Sequence, residues 1–148
     1  MAQSFAAFSP YAGKERVQTA LTAALAALWD RERRLIRIYA PPFLPEERSP
    51  GYVSTYGPGF RENGGQYTHA AVWLALALLR AGRREEAERL AEDIALSLAS
   101  DEYGAEPFVL PADIAYAPGK EGRAGWSWYT GAAGWYYRLL RELYGEAP

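Results

Sequence analysis

The sequence predicts an all-α fold, a partial toroid in which an enclosed inner helix pairs with an amphipathic outer one and long Gly/Pro-rich loops make the connections. Three observations carry this. The run Ala70–Leu79, AAVWLALALL, is apolar nearly all round until Arg80, as a helix enclosed on most sides must be. The stretch from Arg84 to Ala99 instead places Ala87, Leu90, Ala91, Ile94 and Leu98 on one stripe, against Glu85, Glu88, Arg89, Glu92 and Asp93. Prolines and glycines between Pro41 and Tyr67, and again between Asp101 and Gly125, forbid long helices in those connections.

Taken in order, Gly13 to Asp30 reads as the first helix, because Val17, Leu21, Leu25 and Leu28 recur at spacings of four and three. Lys14, Glu15, Gln18 and Thr22 form its outer face. Leu35 to Tyr39 alternates apolar and polar as a short strand or extended segment does, and Pro41-Pro42 closes it. The second helix runs from about Thr68 to Ala81 with Gly82 as its stop signal, and the third from about Arg84 to Ala99. FVLPADIAY, from Phe108 to Tyr116, can hold a short helical turn. A last helix spans about Gly131 to Tyr144, burying Leu139, Leu140 and Leu143. A tetratricopeptide-type hairpin would also pair two such helices, but it needs further copies at a period of about 34 residues, and ALLRAGRREEAERLAE has no second copy.

At 148 residues the chain holds one core and one domain. A net charge of −2 gives no general electrostatic attraction for nucleic acid or an anionic membrane. With no cysteine and a single histidine, neither a disulfide nor a zinc site of the usual ligands is expected, and no cofactor is called for. The first residues lack a secretory pattern, and Ala70–Leu79 is too short to span a bilayer, so a cytoplasmic location is the default expectation. Aromatic content is high, at 14% with five Trp and eleven Tyr, which fits either a large core or a sugar-binding surface.

Gly57 to Trp73, GPGFRENGGQYTHAAVW, concentrates the chemistry. Glycines free the backbone, and Arg61, Glu62, Asn63, Gln66, Tyr67, Thr68 and His69 then lead straight into an apolar helix. Thr68 and His69 fall on its first turn, where unpaired N–H groups favour an anion. Residue by residue, the plainer assignment is an N-cap at Thr68 and a core histidine at His69. Thr130-Gly131 repeats the arrangement at the start of the last helix. Around it, Trp126, Trp128, Tyr129, Trp135, Tyr136 and Tyr137 offer faces for pyranose rings or, equally, core packing. Glu62, Glu106 and Asp113 are carboxylates in loops, able to bond sugar hydroxyls or to act as salt-bridge partners.

RENGGQYTHAAVW (Arg61 to Trp73) and AEPFVLPADIAYAPGKEGRAGWSWYTGAAGWYYR (Ala105 to Arg138) resemble successive segments of glycoside hydrolase family 94, with APPF and PGY upstream fitting its synthase-like branch. That family comprises cellobiose and chitobiose phosphorylases and the phosphorylase-like region of cyclic β-1,2-glucan synthases. The resemblance implies the C-terminal part of an (α/α)₆-barrel catalytic domain of inverting phosphorylases, in which phosphate attacks the anomeric carbon and an Asp protonates the leaving oxygen. It also implies that His69, Thr130 and Gly131 bind phosphate. Arg61, Glu62, Asn63, Gln66 and Asp113 are then sugar-facing, with Trp126 and Trp128 as stacking surfaces. In the family the general acid lies well upstream of RENGG, so no catalytic residue is expected here and the half-site is expected to be inactive alone. Expected partners are a β-glucan or oligosaccharide, inorganic phosphate as co-substrate, and a second copy or separately encoded chain completing the barrel. Two alternatives stand beside this: a non-catalytic helical interaction module, and a small hydrolase using Glu62 and Asp113 at roughly 5–10 Å separation.

Overall fold

The computed structural model describes residues 1–45, 50–96, 101–106, 109–128 and 130–145, with the backbone alone at 96 and 130. The chain is mostly helical: α1 (Lys14–Leu28), α2 (Thr68–Arg80), α3 (Arg84–Leu96) and α4 (Thr130–Tyr144), with 3₁₀ segments at Ala2–Phe8 and Tyr52–Thr55.

Val17, Leu21, Leu25 and Leu28 bury one face of α1 as their spacing requires. The helix stops two residues short of its predicted end, because Trp29–Asp30 (β1) pairs antiparallel with Leu35–Ile36 (β2), Trp29 opposite Ile36. Turn chemistry overrides helix here. The Asp30 carboxylate accepts the backbone N–H groups of Glu32 (3.1 Å) and Arg33 (3.0 Å), closing the hairpin. Ile38 then donates its N–H to Gly65 (2.8 Å), which ties this hairpin to the glycine-rich loop.

α2 is the enclosed helix. Every residue from Ala70 to Leu78 except Trp73 is buried, and the helix packs most extensively against α3, then against α4 and the Ala2–Phe8 segment. It ends in a Schellman motif: Gly82, at φ +79°, donates to Leu79 (3.0 Å) and Arg83 to Leu78 (2.8 Å). α3 buries Ala87, Leu90, Ala91 and Ile94, exposes Glu85 and Glu92, and keeps Glu86, Glu88 and Asp93 half-buried, Asp93 accepting the Trp29 indole N–H (2.8 Å). Leu98, and the predicted end of that helix at Ala99, lie outside the described residues. α4 buries Ala132, Leu139 and Leu143 against the same core, while Leu140 stays half-buried.

The helical turn expected in Phe108–Tyr116 is replaced by a strand, although Phe108 itself lies outside the described residues. Asp113–Ile114 (β4) pairs antiparallel with Gln66–Tyr67 (β3), with Gln66 opposite Ile114 and Tyr67 opposite Asp113. Pro111 biases Leu110 away from helix, and the open edge of β3 supplies a partner for the backbone. The Tyr116 hydroxyl donates to Asp30 (2.5 Å), fastening this segment to the β1–β2 hairpin.

Burial works against the Asp30 charge, but the Tyr116 hydroxyl and the Arg33 backbone and side chain outweigh it and lower its pKa to about 2. A carboxyl more acidic folded than unfolded adds stability that is present above its unfolded pKa of about 3.9 and lost as pH falls through the folded value. Asp30→Asn therefore lowers the urea midpoint at neutral pH, and its difference from the parent chain vanishes on approach to about pH 2; a constant difference at both pH values would contradict this.

Candidate functional site

The site grows from two loops that the β3–β4 ladder brings together. In the first, Asn63 is the organiser. Its side-chain oxygen accepts the Tyr39 hydroxyl (3.0 Å) and the Phe43 N–H (2.9 Å), and its amide donates to the carbonyls of Phe43 (3.1 Å) and Tyr56 (2.8 Å). That is the full capacity of an Asn amide, so Asn63 folds the loop around itself and has nothing left for a sugar. Gln66 also turns inward, its oxygen accepting the Ile36 N–H at 2.8 Å. Both residues, expected on the sugar-facing side, are buried parts of the scaffold.

Arg61 and Glu62 face the other way. The Arg61 guanidinium reaches Glu62 (3.4 Å) and Asp113 (3.7 Å), and lies 5.3 Å from the ring of Tyr56 and 5.2 Å from that of Trp126. Burial opposes the Arg61 charge, yet the carboxylates of Asp113 and Glu62 outweigh it and hold its pKa above the ordinary value. Asp113 itself is buried, and burial pushes its pKa up against the pull of Arg61. A hydrolase would aim Glu62 and Asp113 at a scissile bond; here both engage one guanidinium. Trp126 and Trp128 are exposed, at 58% and 64%. Trp126 belongs to the Arg61 cluster, whereas Trp128 donates its indole N–H to Glu106 (3.1 Å). Arg61 (φ +45°) and Trp128 (φ +63°) both hold left-handed backbone, a strain that side-chain-bearing residues avoid unless their surroundings impose it.

His69 and Gly131 meet. A Cβ placed on Gly131 would stand 2.5 Å from the imidazole Cε1, so only glycine allows the start of α4 to approach the first turn of α2 this closely. Thr130 is the first residue of α4, and of its side chain nothing is described. The His69 ring is stacked near Tyr67 (centroids 6.2 Å) and tilted near Trp73 (5.3 Å). Burial among these rings lowers its pKa. Thr68 is not the cap of α2: Tyr67 holds that position, Thr68 donates its N–H to Ala112 (2.9 Å), and its hydroxyl is buried without a hydrogen-bond partner among the described residues.

Tyr56 was not among the residues singled out from the sequence, and Tyr67 was named there only as one of the polar string, with no role of its own. The only signal was position, Tyr67 two residues before His69 and Tyr56 five before Arg61. Tyr129 lies outside the described residues; Trp135 and Tyr136 are half-buried against the core, the Tyr136 hydroxyl donating to the Ala91 carbonyl (2.9 Å), and Tyr137 is exposed. No group of His, Cys, Asp and Glu among the described residues could hold a metal, and no described helix is long and apolar enough to cross a membrane. A concavity of about 700 Å³ lies along α2 and α4 between Leu79, Tyr137 and Gly145.

The model of the family described as "Glycosyl hydrolase 94 superfamily, catalytic domain" matches residues 1–144. Cyclic beta-(1,2)-glucan synthase NdvB of Rhizobium meliloti (strain 1021) is 44% identical over 144 residues, covering 93% of this chain and 5% of that protein. Solabiose phosphorylase of Paenibacillus borealis is 30% identical over 109 residues, covering 70% of this chain and 14% of that protein. The chain therefore spans a small part of the length of these curated relatives.

Two substitutions check the geometry. Gly131→Ala displaces the imidazole, seen as a shift of the His69 ring resonances in NMR with α-helical circular dichroism retained. Asn63→Ala strands buried backbone groups and lowers stability by about 2–3 kcal/mol, read from urea unfolding; a loss within about 0.5 kcal/mol would mean the loop does not depend on this amide.

Proposed function

The chain belongs to the glycosyl hydrolase 94 superfamily of catalytic domains, and from that premise we propose that it forms the phosphate- and sugar-binding face of a β-glucan-active domain, of the cyclic β-1,2-glucan type. The observation that carries this reading is the contact of His69 with Gly131, which joins the first turns of α2 and α4 at one point. Each first turn carries partial positive charge, although in α2 the Thr68 N–H is already bonded to Ala112, and the imidazole adds a donor between them. Inorganic phosphate is the anion proposed for this place, with His69, Thr130 and Gly131 around it. A sugar ring lies on the Arg61 side, stacked on Trp126 with Trp128 further along, its hydroxyls bonded by Glu62, Asp113 and Arg61. Asn63 and Gln66 shape this side from within.

In such a site phosphate takes the part of the attacking nucleophile, and binding does most of the chain's work by holding it beside the anomeric carbon. A proton for the leaving oxygen must still arrive. With Glu62 and Asp113 engaged by Arg61, it comes from a group outside these 148 residues, in this protein or in another chain, and these residues alone do not catalyse phosphorolysis. The groove along α2 and α4, with exposed Tyr137 at its edge, is where such a chain would dock. The same groove favours the second reading, a non-catalytic interaction module whose loop face binds nothing.

Calorimetric titration of the purified chain with phosphate, and separately with short β-1,2-glucans, separates the two. The proposed function requires saturable phosphate binding that His69→Ala weakens about tenfold or more, and glucan binding that Trp126→Ala weakens while leaving phosphate affinity alone. Absence of both in the parent chain would leave the interaction module standing.

A further inference from the structure

Tyr67 stands between the two groups of the site. Its ring lies 6.2 Å from that of His69, centroid to centroid, with planes 24° apart. In the β3–β4 register it is directly opposite Asp113, so the two side chains share one face of the ladder. Tyr67 also lies within electrostatic reach of Glu62, Arg61, Tyr52 and Asp113. Burial first, and the Glu62 charge after it, raise the pKa of its hydroxyl, which stays protonated and able to donate. Of the other rings described in the site, Trp73 borders His69 from the helix side and Tyr56 borders Arg61.

We propose that Tyr67 is a positioning residue: its ring fixes the His69 imidazole against Gly131, and its hydroxyl ties that ring to the Arg61–Glu62–Asp113 cluster, so that a sugar on one side strengthens anion binding on the other. This rests on the reading of His69 as an anion ligand. An imidazole at a helix start can turn about both its side-chain torsions, and only some orientations aim a nitrogen at the place where the α2 and α4 first turns converge. A stacked ring removes the unproductive orientations in advance of binding, which is preorganisation. The strand holding Tyr67 is short, but its partner Asp113 is buried and paired to Arg61, so the ring has a rigid base.

The test compares the parent chain with Tyr67→Phe and Tyr67→Leu, following the His69 imidazole by NMR through a pH titration and measuring phosphate binding with and without a short β-1,2-glucan. Removing the ring exposes His69, so Tyr67→Leu should bring its pKa up towards the ordinary value of about 6.5 and weaken phosphate binding. Tyr67→Phe should keep the parent pKa and phosphate affinity but lose the dependence of that affinity on glucan. A His69 titration unchanged in Tyr67→Leu overturns the proposal, and an undiminished glucan effect in Tyr67→Phe overturns the part given to the hydroxyl. If the leucine variant fails to fold, NOEs between the Tyr67 ring and the His69 ring in the parent chain decide instead, and their absence overturns it. A parent chain that binds no phosphate sinks the anion reading, while the His69 pKa still judges what Tyr67 does.

Discussion

The pairing of Gln66–Tyr67 with Asp113–Ile114 is the constraint on which the rest depends. Each strand is only two residues long, yet the ladder joins loops separated by more than forty positions and is extended by the Thr68 N–H donating to Ala112 (2.9 Å). Bringing such distant segments together costs loop-closure entropy that grows slowly with length, so a few well-placed bonds can hold them once the helices have packed. From the ladder the remaining positions follow. Ala112 donates to Trp126 (2.6 Å) and Gly125 to Asp113 (2.9 Å), which carries Trp126 alongside Asp113 and so onto Arg61. The ladder also aims the first turn of α2.

Rigidity on one side and unsatisfied polarity on the other meet at that first turn. α2 is enclosed by α3, α4 and the Ala2–Phe8 segment, so its axis is fixed by packing. Against it, the Gln66 amide nitrogen, the Thr68 hydroxyl and one Asp113 carboxylate oxygen are buried without hydrogen-bond partners among the described residues. Each such group costs on the order of 1–3 kcal/mol. Those three sit on the ladder or beside it, and the left-handed backbone of Arg61 is close by in the chain. Several local rules are broken in the stretch where the polar groups of the sequence are densest, while others are broken away from it, at Ser4, Arg34 and Arg37.

How much of this was legible in the sequence depended on periodicity. α1 to α4 announced themselves because burying a helical face needs apolar residues every three or four positions, and Gly82 marked the end of α2. Two-residue strands carry no period at all. Trp29 and Asp30 continued the helical pattern of α1 until the Asp30 carboxylate capped the turn, and Asp113–Ile114 read as part of a helical turn. In the site, the glycines and His69 were conspicuous, and the contact of His69 with Gly131 joins two helix starts that the sequence had marked separately. Asn63 and Gln66 show the limit. A polar residue in a glycine-rich loop can face a ligand or satisfy the loop's own backbone, and only the fold reveals that these two do the latter. Tyr67 was visible as one polar group of that string, but a place between His69 and Asp113 depends on the β3–β4 register, which two-residue strands do not announce.

The charges divide the face in two. Arg61 is the cation on the side proposed for the sugar, but Glu62 and Asp113 already engage it, so that group as a whole offers no net positive charge to a phosphate. In the proposed reading, attraction for an anion comes instead from the first turns of α2 and α4 and from His69, whose pKa burial lowers and whose neutral ring keeps one N–H to donate. Under the proposed function phosphate would be disfavoured on the carboxylate side and favoured on the helix side, while sugar hydroxyls, which both donate and accept, suit the mixed Arg–carboxylate group and the Trp126 face. Such a division would orient a sugar and a phosphate with respect to each other before any bond is made. For a reaction in which phosphate must meet one face of one carbon, that ordering is the contribution binding residues alone can make.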